Sequence, residues 1–168
     1  GASLGLRINP QFSTQTGHAI YDPCSKGSRL GIAAANFPET LPDWIEGLHF
    51  HTLCEQNSDA LEATLCAVEE KFGKHLKRIK WINFGGGHHI TRADYDIARL
   101  KRCINKMADK YGLEVYLEPG EAVALNAGEL ISEVLDIVEN DGKIALLDAS
   151  AACHMPDVIE IMSRSEER

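Results

Sequence analysis

The sequence predicts an α/β fold in which parallel strands alternate with helices and are followed by an antiparallel hairpin. Between residues 47 and 118, apolar runs rich in β-branched and aromatic residues alternate with helical periodicity at intervals of roughly 30 residues, the spacing of βαβ units. From about residue 126 this alternation stops. Two apolar runs, at residues 130–138 and 143–148, then flank the Glu-Asn-Asp-Gly turn at residues 139–142, which is a hairpin signal.

The first part of the chain carries one short strand, a long loop and a second strand. Residues 4–10 are predicted as a strand that Pro10 ends, because proline cannot donate to a ladder. Residues 11–30 are rich in Gly, Ser, Thr, Pro and Asp and form a long polar loop, a kind that is often functional. Residues 28–32 are expected to fold back toward the site, and residues 47–51 form the next strand.

The next predicted segment is an amphipathic helix. Ser58 is expected to cap it, since serine is a preferred N-cap residue, and Gly73 is expected to end it. Its apolar side chains share one helical face, at Leu61, Leu65, Val68 and Phe72. Cys66 in this helix and Cys103 in the following helical pattern are expected to be small buried apolar side chains.

A glycine run ends the strand predicted at residues 79–84. Gly85, Gly86 and Gly87 have no Cβ, so the backbone can approach an anion closely there and form a phosphate cradle before a helix N-terminus. The alternative is a tight turn that needs glycine for steric reasons only. Taken alone, the glycines favour this alternative, because they match neither the P-loop nor the dinucleotide-binding fingerprint.

The second helix and the third strand complete the α/β pattern. Thr91 and Asp94 have the spacing of a capping box, so the helix is expected to begin just past the glycines. Helical periodicity then continues until Gly112 ends it. Residues 113–118 form a strand that the following Pro-Gly pair breaks.

Composition limits the classes of function. The chain has 168 residues, 44% of them apolar, and neither a membrane-spanning run nor a signal segment is expected from the sequence. A formal charge of -8 argues against a nucleic-acid surface and favours a cationic ligand. The five cysteines include no C-x-x-C pair, which predicts reduced thiols in a cytoplasmic protein. Because the chain begins Gly-Ala-Ser without Met, we expect a processed or shortened protein.

Chemical groups follow three successive predicted strands: His51 with Cys54, the three glycines, and Glu118 with Glu121. Ligands of parallel α/β folds bind beyond the carboxyl ends of the strands, so these groups predict one site. His51 has three possible roles, as a flat aromatic surface, a general acid or base, or a metal ligand. His49, His51 and Cys54 also have the look of a zinc set, although both histidines reach one ion only if their shared face points to the site.

Four motifs carry a family resemblance: Leu6-Arg7-Ile8-Asn9-Pro10, Phe50-His51, Gly85-Gly86-Gly87 and Glu118-Pro119-Gly120. Together they resemble the pyridoxal-phosphate decarboxylases of the alanine-racemase-like fold, the group of ornithine and diaminopimelate decarboxylases. Residues 47–55, 118–121, 148–150 and 153–157 look like those of the carboxynorspermidine (carboxyspermidine) decarboxylases. The similarity covers at least residues 4–160.

The resemblance implies pyridoxal 5′-phosphate as the cofactor. His51 would stack on the face of its ring, and Cys54 stands where a small polar side chain reaches the phosphate. The three glycine amides would also bind the phosphate. Glu118 would bind the pyridinium nitrogen and keep it protonated, so that the ring accepts electrons when carbon dioxide departs.

A cationic polyamine precursor is the substrate that the resemblance implies. Enzymes like ornithine decarboxylase usually have a phosphate-binding arginine where this chain has Glu121. The substitution loses a phosphate contact but offers a charge partner to an ammonium group. Glu121 and Asp157 would bind the substrate's ammonium groups, and Asp148 is a lesser candidate for this role.

The resemblance also implies that parts of the enzyme lie outside this sequence. The Schiff-base lysine of the family is expected before residue 1, so no catalytic lysine is assigned within the chain. A whole eight-stranded barrel needs about 250 residues. We therefore expect residues 1–126 to be the C-terminal part of a cofactor-binding (β/α) barrel and residues 127–168 to begin a C-terminal β-domain. The family's homodimer shares its active site between subunits.

Three hypotheses follow. The first is a polyamine-pathway decarboxylase that forms norspermidine or spermidine. The second is that this chain, without the lysine, is non-catalytic as isolated. The third is a metal-dependent barrel hydrolase that uses His49, His51 and Cys54. The first two are compatible, since one concerns the complete protein and the other this chain.

Overall fold

The structure is a computed structural model that describes residues 1–16, 21–156 and 159. The chain divides into two compact units, Gly1–Leu125 and Asn126–Arg168. The first unit is an α/β layer with a parallel sheet, and the second contains an antiparallel hairpin. Within the described part of the chain, no helix combines the length and the apolarity that crossing a bilayer requires.

Five strands form the sheet of the first unit, in the spatial order β2-β1-β3-β4-β5 with every pair parallel. The strands are β1 (Leu4–Asn9), β2 (Ile32–Ala33), β3 (Ile45–His49), β4 (Trp81–Asn83) and β5 (Glu114–Tyr116). The segment at residues 28–32 therefore returns to the sheet, and β2 pairs with the end of β1. The prediction that parallel strands alternate with helices is confirmed.

The helices of this unit are α1 (Ser58–Leu76), α2 (Ile97–Tyr111) and the short α3 (Gly120–Ala124). The main helices pack on the apolar face of the sheet, where Leu48 and Ile82 are fully buried beside Leu61, Leu65 and Phe72 of α1. The predicted apolar face of α1 is thus confirmed. Strand residues alternate between the two faces, so His49, Asn83 and Tyr116, which are paired in register, share the opposite face.

Three predicted helix boundaries are wrong. Asn57 caps α1 through its side chain, which accepts from the N–H of Ser58. Helix α1 runs through Gly73 to Leu76, because burying Leu76 fully outweighs a glycine cost of about 1 kcal/mol. Helix α2 begins at Ile97, where Asp96 accepts from the N–H of Arg99.

The predicted capping box at the start of α2 therefore does not form. The Thr91 hydroxyl donates instead to Glu121, at 2.7 Å, and Asp94 pairs with Arg92. The C-terminal boundary is as predicted, since Gly112 follows α2 with φ 70°.

One of the two predictions about buried cysteines is also wrong. Cys103 is buried, whereas Cys66 lies on the exposed side of α1.

The second unit contains β6 (Val134–Glu139), β7 (Lys143–Leu147) and the short helix α4 (Ala151–His154). Strands β6 and β7 pair antiparallel, with Glu139 opposite Lys143, so the predicted hairpin is confirmed. Asp141 and Gly142 occupy the turn with positive φ angles of 53° and 148°, conformations that the Asp-Gly sequence favours.

A carboxylate joins the two main helices on their outer surface. Glu69 of α1 accepts from Lys106, from Lys110 and from the Tyr111 hydroxyl of α2, the last at 2.9 Å. Its side chain is only 13% exposed. Burial raises the pKa of Glu69, but the hydrogen bonds from the two lysines and the tyrosine outweigh burial and lower that pKa to about 2. Glu69 is therefore stabilised as an anion in the folded chain.

We predict that Glu69→Gln lowers the free energy of unfolding at pH 7 by about 1–3 kcal/mol. The range extends down to about 1 kcal/mol because solvent screens the half-exposed lysines that bind Glu69. Because the folded pKa lies below the ordinary value, this stabilisation is present above about pH 4.5 and is lost as pH falls toward 2. Urea unfolding at pH 7, 5 and 3 measures the difference. Glu62→Gln, at an exposed pair with Arg99, is the control and should change stability little. An equal difference between wild type and Glu69→Gln at pH 3 and pH 7 contradicts the prediction.

Candidate active site at the carboxyl ends of three strands

Ladder hydrogen bonds continue past the ends of β3, β4 and β5 and hold three chain segments side by side. Phe50 N–H donates to the Asn83 carbonyl, and Phe84 N–H donates to the Tyr116 carbonyl, both at 3.0 Å. One step farther along, Glu118 N–H donates to the Gly85 carbonyl at 2.9 Å. The structure thus brings together the residues after all three strands, as predicted from their positions.

The ring of His51 is fixed by the glycine segment. The N–H of Gly86 donates to its Nδ1 at 3.1 Å, so the proton of the neutral ring lies on Nε2. Burial lowers the pKa of His51, Arg7 lowers it further, and Glu118 partly opposes both effects. The ring of His51 is therefore oriented and favours its neutral form, and the choice among the three roles left open by its sequence position remains a prediction.

Glu118 is held by two side chains from the neighbouring strands. Asn83 donates to its Oε1 at 2.8 Å, and His49 Nε2 lies 3.6 Å from the same oxygen. Burial lowers the pKa of His49, while the Glu118 carboxylate raises it. The sequence analysis assigned no role to Asn83. Asn83 pairs in register with Tyr116, and Glu118 follows Tyr116 by two residues, so the side chains of Asn83 and Glu118 lie on the same face. This alternation is a sequence signal that could have predicted their contact.

The glycines allow the segment after β4 to touch its neighbours. A Cβ on Gly86 would lie 2.9 Å from the Glu118 carbonyl oxygen and 3.1 Å from Cε1 of His51. A Cβ on Gly87 would lie 2.1 Å from the Leu53 carbonyl oxygen, and its φ of 78° is itself unfavourable for other residues. The steric interpretation of the glycine run is therefore correct for both residues, and it leaves open a second role as an anion site.

The glycine amides differ in what they contact. Gly85 N–H donates to Asn83 Oδ1 at 2.8 Å, and Gly86 N–H donates to His51 as described. Within the described residues, only Gly87 N–H of the three lacks a hydrogen-bond partner. Gly87 is therefore the glycine whose amide is available to a ligand in this conformation.

Two cavities meet at Gly87. The larger cavity, about 350 Å³, is lined by residues that include His51, Cys54 and Leu30. Because Leu30 belongs to the segment at residues 28–32, this segment reaches the site as predicted. Burial raises the pKa of the Cys54 thiol, so this side chain is a neutral donor. The smaller cavity, about 180 Å³, is lined by Glu55, Gly87, His88, His89, Gly120 and Glu121.

The three carboxylates predicted to bind the substrate lie in different parts of the chain. Glu121 borders the smaller cavity and accepts from Thr91. Asp148, in the second unit, accepts from the N–H of Glu133 at 2.9 Å. Asp157 lies outside the described residues. His49, His51 and Cys54 do not form a metal set, because no three acidic, histidine or cysteine residues in the described part of the chain are grouped to hold an ion.

Comparison with known proteins identifies the relatives of this chain. No family model matches it. A carboxynorspermidine/carboxyspermidine decarboxylase from Campylobacter jejuni is 52% identical over 164 residues, 98% of this chain and 43% of the relative. A carboxyaminopropylagmatine decarboxylase from Synechocystis is 42% identical over 98% of this chain and 43% of its own length. The chain thus spans less than half the length of these curated relatives.

A solved structure shows the same relationship. The crystal structure of carboxynorspermidine decarboxylase complexed with norspermidine from Campylobacter jejuni matches with a TM-score of 0.79 and 52% identity, over 94% of this chain and 40% of that one. The family resemblance is confirmed. A diaminopimelate decarboxylase structure, at 21% identity and a TM-score of 0.67, shares the fold over 87% of this chain and 38% of its own. The α/β fold of the alanine-racemase-like decarboxylases, with antiparallel strands after it, is therefore confirmed as well.

We predict that Gly87→Ala destabilises the chain by at least about 2 kcal/mol, because the added Cβ meets backbone and the left-handed φ is strained. Gly73→Ala is the matched control. Its Cβ meets nothing within 4 Å in the interior of α1, so it should stabilise by about 0.5–1 kcal/mol. Urea unfolding of both variants measures the effects. Equal stability of Gly87→Ala and wild type would show that the glycine segment is not packed as described.

Proposed function

We propose that the protein to which this chain belongs is a pyridoxal-phosphate-dependent decarboxylase that converts carboxynorspermidine or carboxyspermidine to norspermidine or spermidine. The observation that carries the proposal is the meeting of His51, Gly87 and Glu118 at three hydrogen-bonded strand ends. These groups offer an aromatic surface, a free amide and a carboxylate in one place. The similarity to decarboxylases of these substrates gives the reaction class.

The residues present fit the cofactor. Only glycine fits at residues 86 and 87, because a Cβ there would meet the neighbouring strand ends. The amide of Gly87 and the protonated thiol of Cys54 border the larger cavity and would bind the phosphate. We keep Gly85 and Gly86 in the site as the segment that places Gly87, since their own amides contact Asn83 and His51.

The ring would be held by His51 and Glu118. A neutral His51, with Nδ1 bound to Gly86, presents its flat surface without a charge that would repel a protonated pyridine. Asn83 contacts Oε1 of Glu118, which leaves Oε2 to hold the proton at the ring nitrogen. When bound, pyridoxal phosphate would supply an electron-accepting ring for the decarboxylation, and these residues would hold that ring and its nitrogen proton.

The proposed substrates are cationic, which agrees with the net charge of -8. Glu121, Asp148 and Asp157 remain predictions as the carboxylates that bind the substrate's ammonium groups. An ionised carboxylate has about four acceptor sites, so the bond from Thr91 does not by itself exclude this role for Glu121. The shared homodimeric active site and the cytoplasmic location also remain predictions.

The direct test uses the full-length protein loaded with pyridoxal phosphate. Carbon dioxide release is measured with carboxynorspermidine, carboxyspermidine, carboxyaminopropylagmatine, ornithine and diaminopimelate as alternative substrates. We expect the highest kcat/KM with one of the first two. Preference for carboxyaminopropylagmatine would reject the substrate assignment but keep the reaction class. Activity with ornithine or diaminopimelate alone would reject the polyamine role.

We predict that Glu118→Gln lowers kcat by about 10²–10³-fold, because an amide cannot hold the positive charge at the ring nitrogen. Glu114→Gln is the control on the same strand segment and should leave kcat unchanged, since Glu114 lies at the opposite end of β5. Single-turnover and steady-state rates of the full-length variants measure the loss. A Glu118→Gln enzyme with wild-type kcat would remove Glu118 from the proposed mechanism.

A further inference from the structure

We propose that Asn83 is a positioning residue that fixes Glu118 at the ring nitrogen of the cofactor and ties this carboxylate to the glycine segment. The inference rests on the proposed function and adds a residue to it. Three hydrogen bonds form a closed ring through Asn83. Its Nδ2 donates to Glu118 Oε1 at 2.8 Å, and its Oδ1 accepts from the N–H of Gly85 at 2.8 Å. The N–H of Glu118 donates to the Gly85 carbonyl at 2.9 Å and completes the ring.

The side chain of Glu118 needs such a partner, because packing alone does not fix it. It is 49% exposed, and a long side chain that is half exposed exchanges among several rotamers. Within the described part of the chain, Asn83 makes the only side-chain hydrogen bond to this carboxylate. By binding Oε1, Asn83 selects the rotamer that leaves Oε2 available to the ring nitrogen.

The other polar residues of the same row do not replace Asn83. His49 pairs in register with Asn83 on one side and with Arg7 on the other. His49 Nε2 lies 3.6 Å from Glu118 Oε1, which is beyond hydrogen-bond distance. Burial lowers the pKa of His49, Glu118 opposes this shift, and Arg7 and His51 add to it, so His49 favours its neutral form. Among the described residues, the one ion-pair contact of Glu118 is with His49, so Arg7 does not hold the carboxylate in place.

The orientation of the Asn83 amide is determined by its two partners. A backbone N–H can only donate, so the atom that faces Gly85 is Oδ1. The atom that faces Glu118 is then Nδ2, a neutral donor opposite an ionised acceptor. A flipped amide would place an oxygen against the carboxylate and a nitrogen against the N–H, and both contacts would be lost.

The bond to Gly85 extends the effect of Asn83 to the ring of His51. Gly85 has a φ of 72°, and a Cβ there would lie 2.4 Å from the Phe50 carbonyl oxygen, so the chain turns closely against the end of β3. An asparagine that accepts from the N–H two residues later stabilises such a turn. The next amide, that of Gly86, donates to His51 Nδ1 at 3.1 Å. One side chain therefore sets the carboxylate for the ring nitrogen relative to the imidazole for the ring face.

The kinetic test uses two variants of the full-length protein. Asn83→Ala removes both side-chain bonds without adding bulk, and Asn83→Leu keeps the size but cannot hydrogen-bond. We expect each to lower kcat about 10- to 100-fold, the usual effect of removing a group that orients a functional ligand, while KM changes less than about threefold. The loss should be smaller than that of Glu118→Gln, because the carboxylate is still present.

A double variant separates positioning from an independent role. If Asn83 acts through Glu118, Asn83→Ala combined with Glu118→Gln should have a kcat within about threefold of Glu118→Gln alone. Tyr116→Phe is the matched control, since Tyr116 pairs in register with Asn83 and its hydroxyl interacts with Glu114. This control removes a polar group from the same row and should leave kcat and KM unchanged.

The protonation of the ring nitrogen is measured without turnover. The full-length protein is loaded with pyridoxal phosphate that carries ¹⁵N in the ring, and the ¹⁵N chemical shift distinguishes a protonated from an unprotonated nitrogen. We expect the protonated shift in wild type and Tyr116→Phe, and a displacement toward the unprotonated shift in the Asn83 variants. Thermal unfolding checks each fold, and Asn83→Leu carries the test if Asn83→Ala does not fold.

Three results would overturn the inference. They are a wild-type kcat in folded Asn83 variants, an unchanged ¹⁵N shift in those variants, and a double variant that shows the full product of the two single losses. A fall in kcat equal to that of Tyr116→Phe would likewise contradict it. A wild-type protein that binds no pyridoxal phosphate, or releases no carbon dioxide from any of the amines tested, rejects the proposed function itself.

Discussion

The continuation of the parallel ladder beyond the strands is the constraint on which the candidate site depends. Backbone hydrogen bonds continue past the ends of strands β3, β4 and β5. They keep the segments at Phe50, Phe84 and Glu118 as close to their neighbours as strands in a sheet. Side chains that follow each strand are therefore placed relative to their neighbours before any ligand arrives. The spacing is possible only because the middle segment has no Cβ at Gly85, Gly86 and Gly87, where one would meet neighbouring backbone.

The same packing determines the charge of the site. Burial between the strands lowers the pKa of His49 and His51, and the Arg7 guanidinium adds to this effect. The imidazoles at the strand ends are therefore neutral, while Glu118 supplies the negative charge beside them. A neutral ring next to a fixed carboxylate suits an aromatic ligand with a protonated nitrogen. The opposite charge pattern would suit an anionic ring.

The sequence predicted the strands well because periodicity and glycine punctuation are local signals. It predicted helix ends poorly because these depended on tertiary contacts. Gly73 did not stop α1, since the following turn buries Leu76, and Thr91 did not cap a helix because Glu121 binds its hydroxyl. The residues of the site were found from the positions where strands end. Asn83 was not, because its contact with Glu118 joins residues distant in sequence. The domain boundary near residue 126 and the roles of the site residues remain predictions.

Glu121 shows how a sequence position and its chemistry can separate. From the resemblance alone, an acid where related enzymes carry arginine suggests that the phosphate has lost a contact and the substrate has gained one. The structure places that acid beside His89 and Thr91, which follow the glycine segment in the chain. Two of the acceptor sites of this carboxylate face His89 and Thr91, so what this position offers a ligand depends on its neighbours as much as on the residue itself.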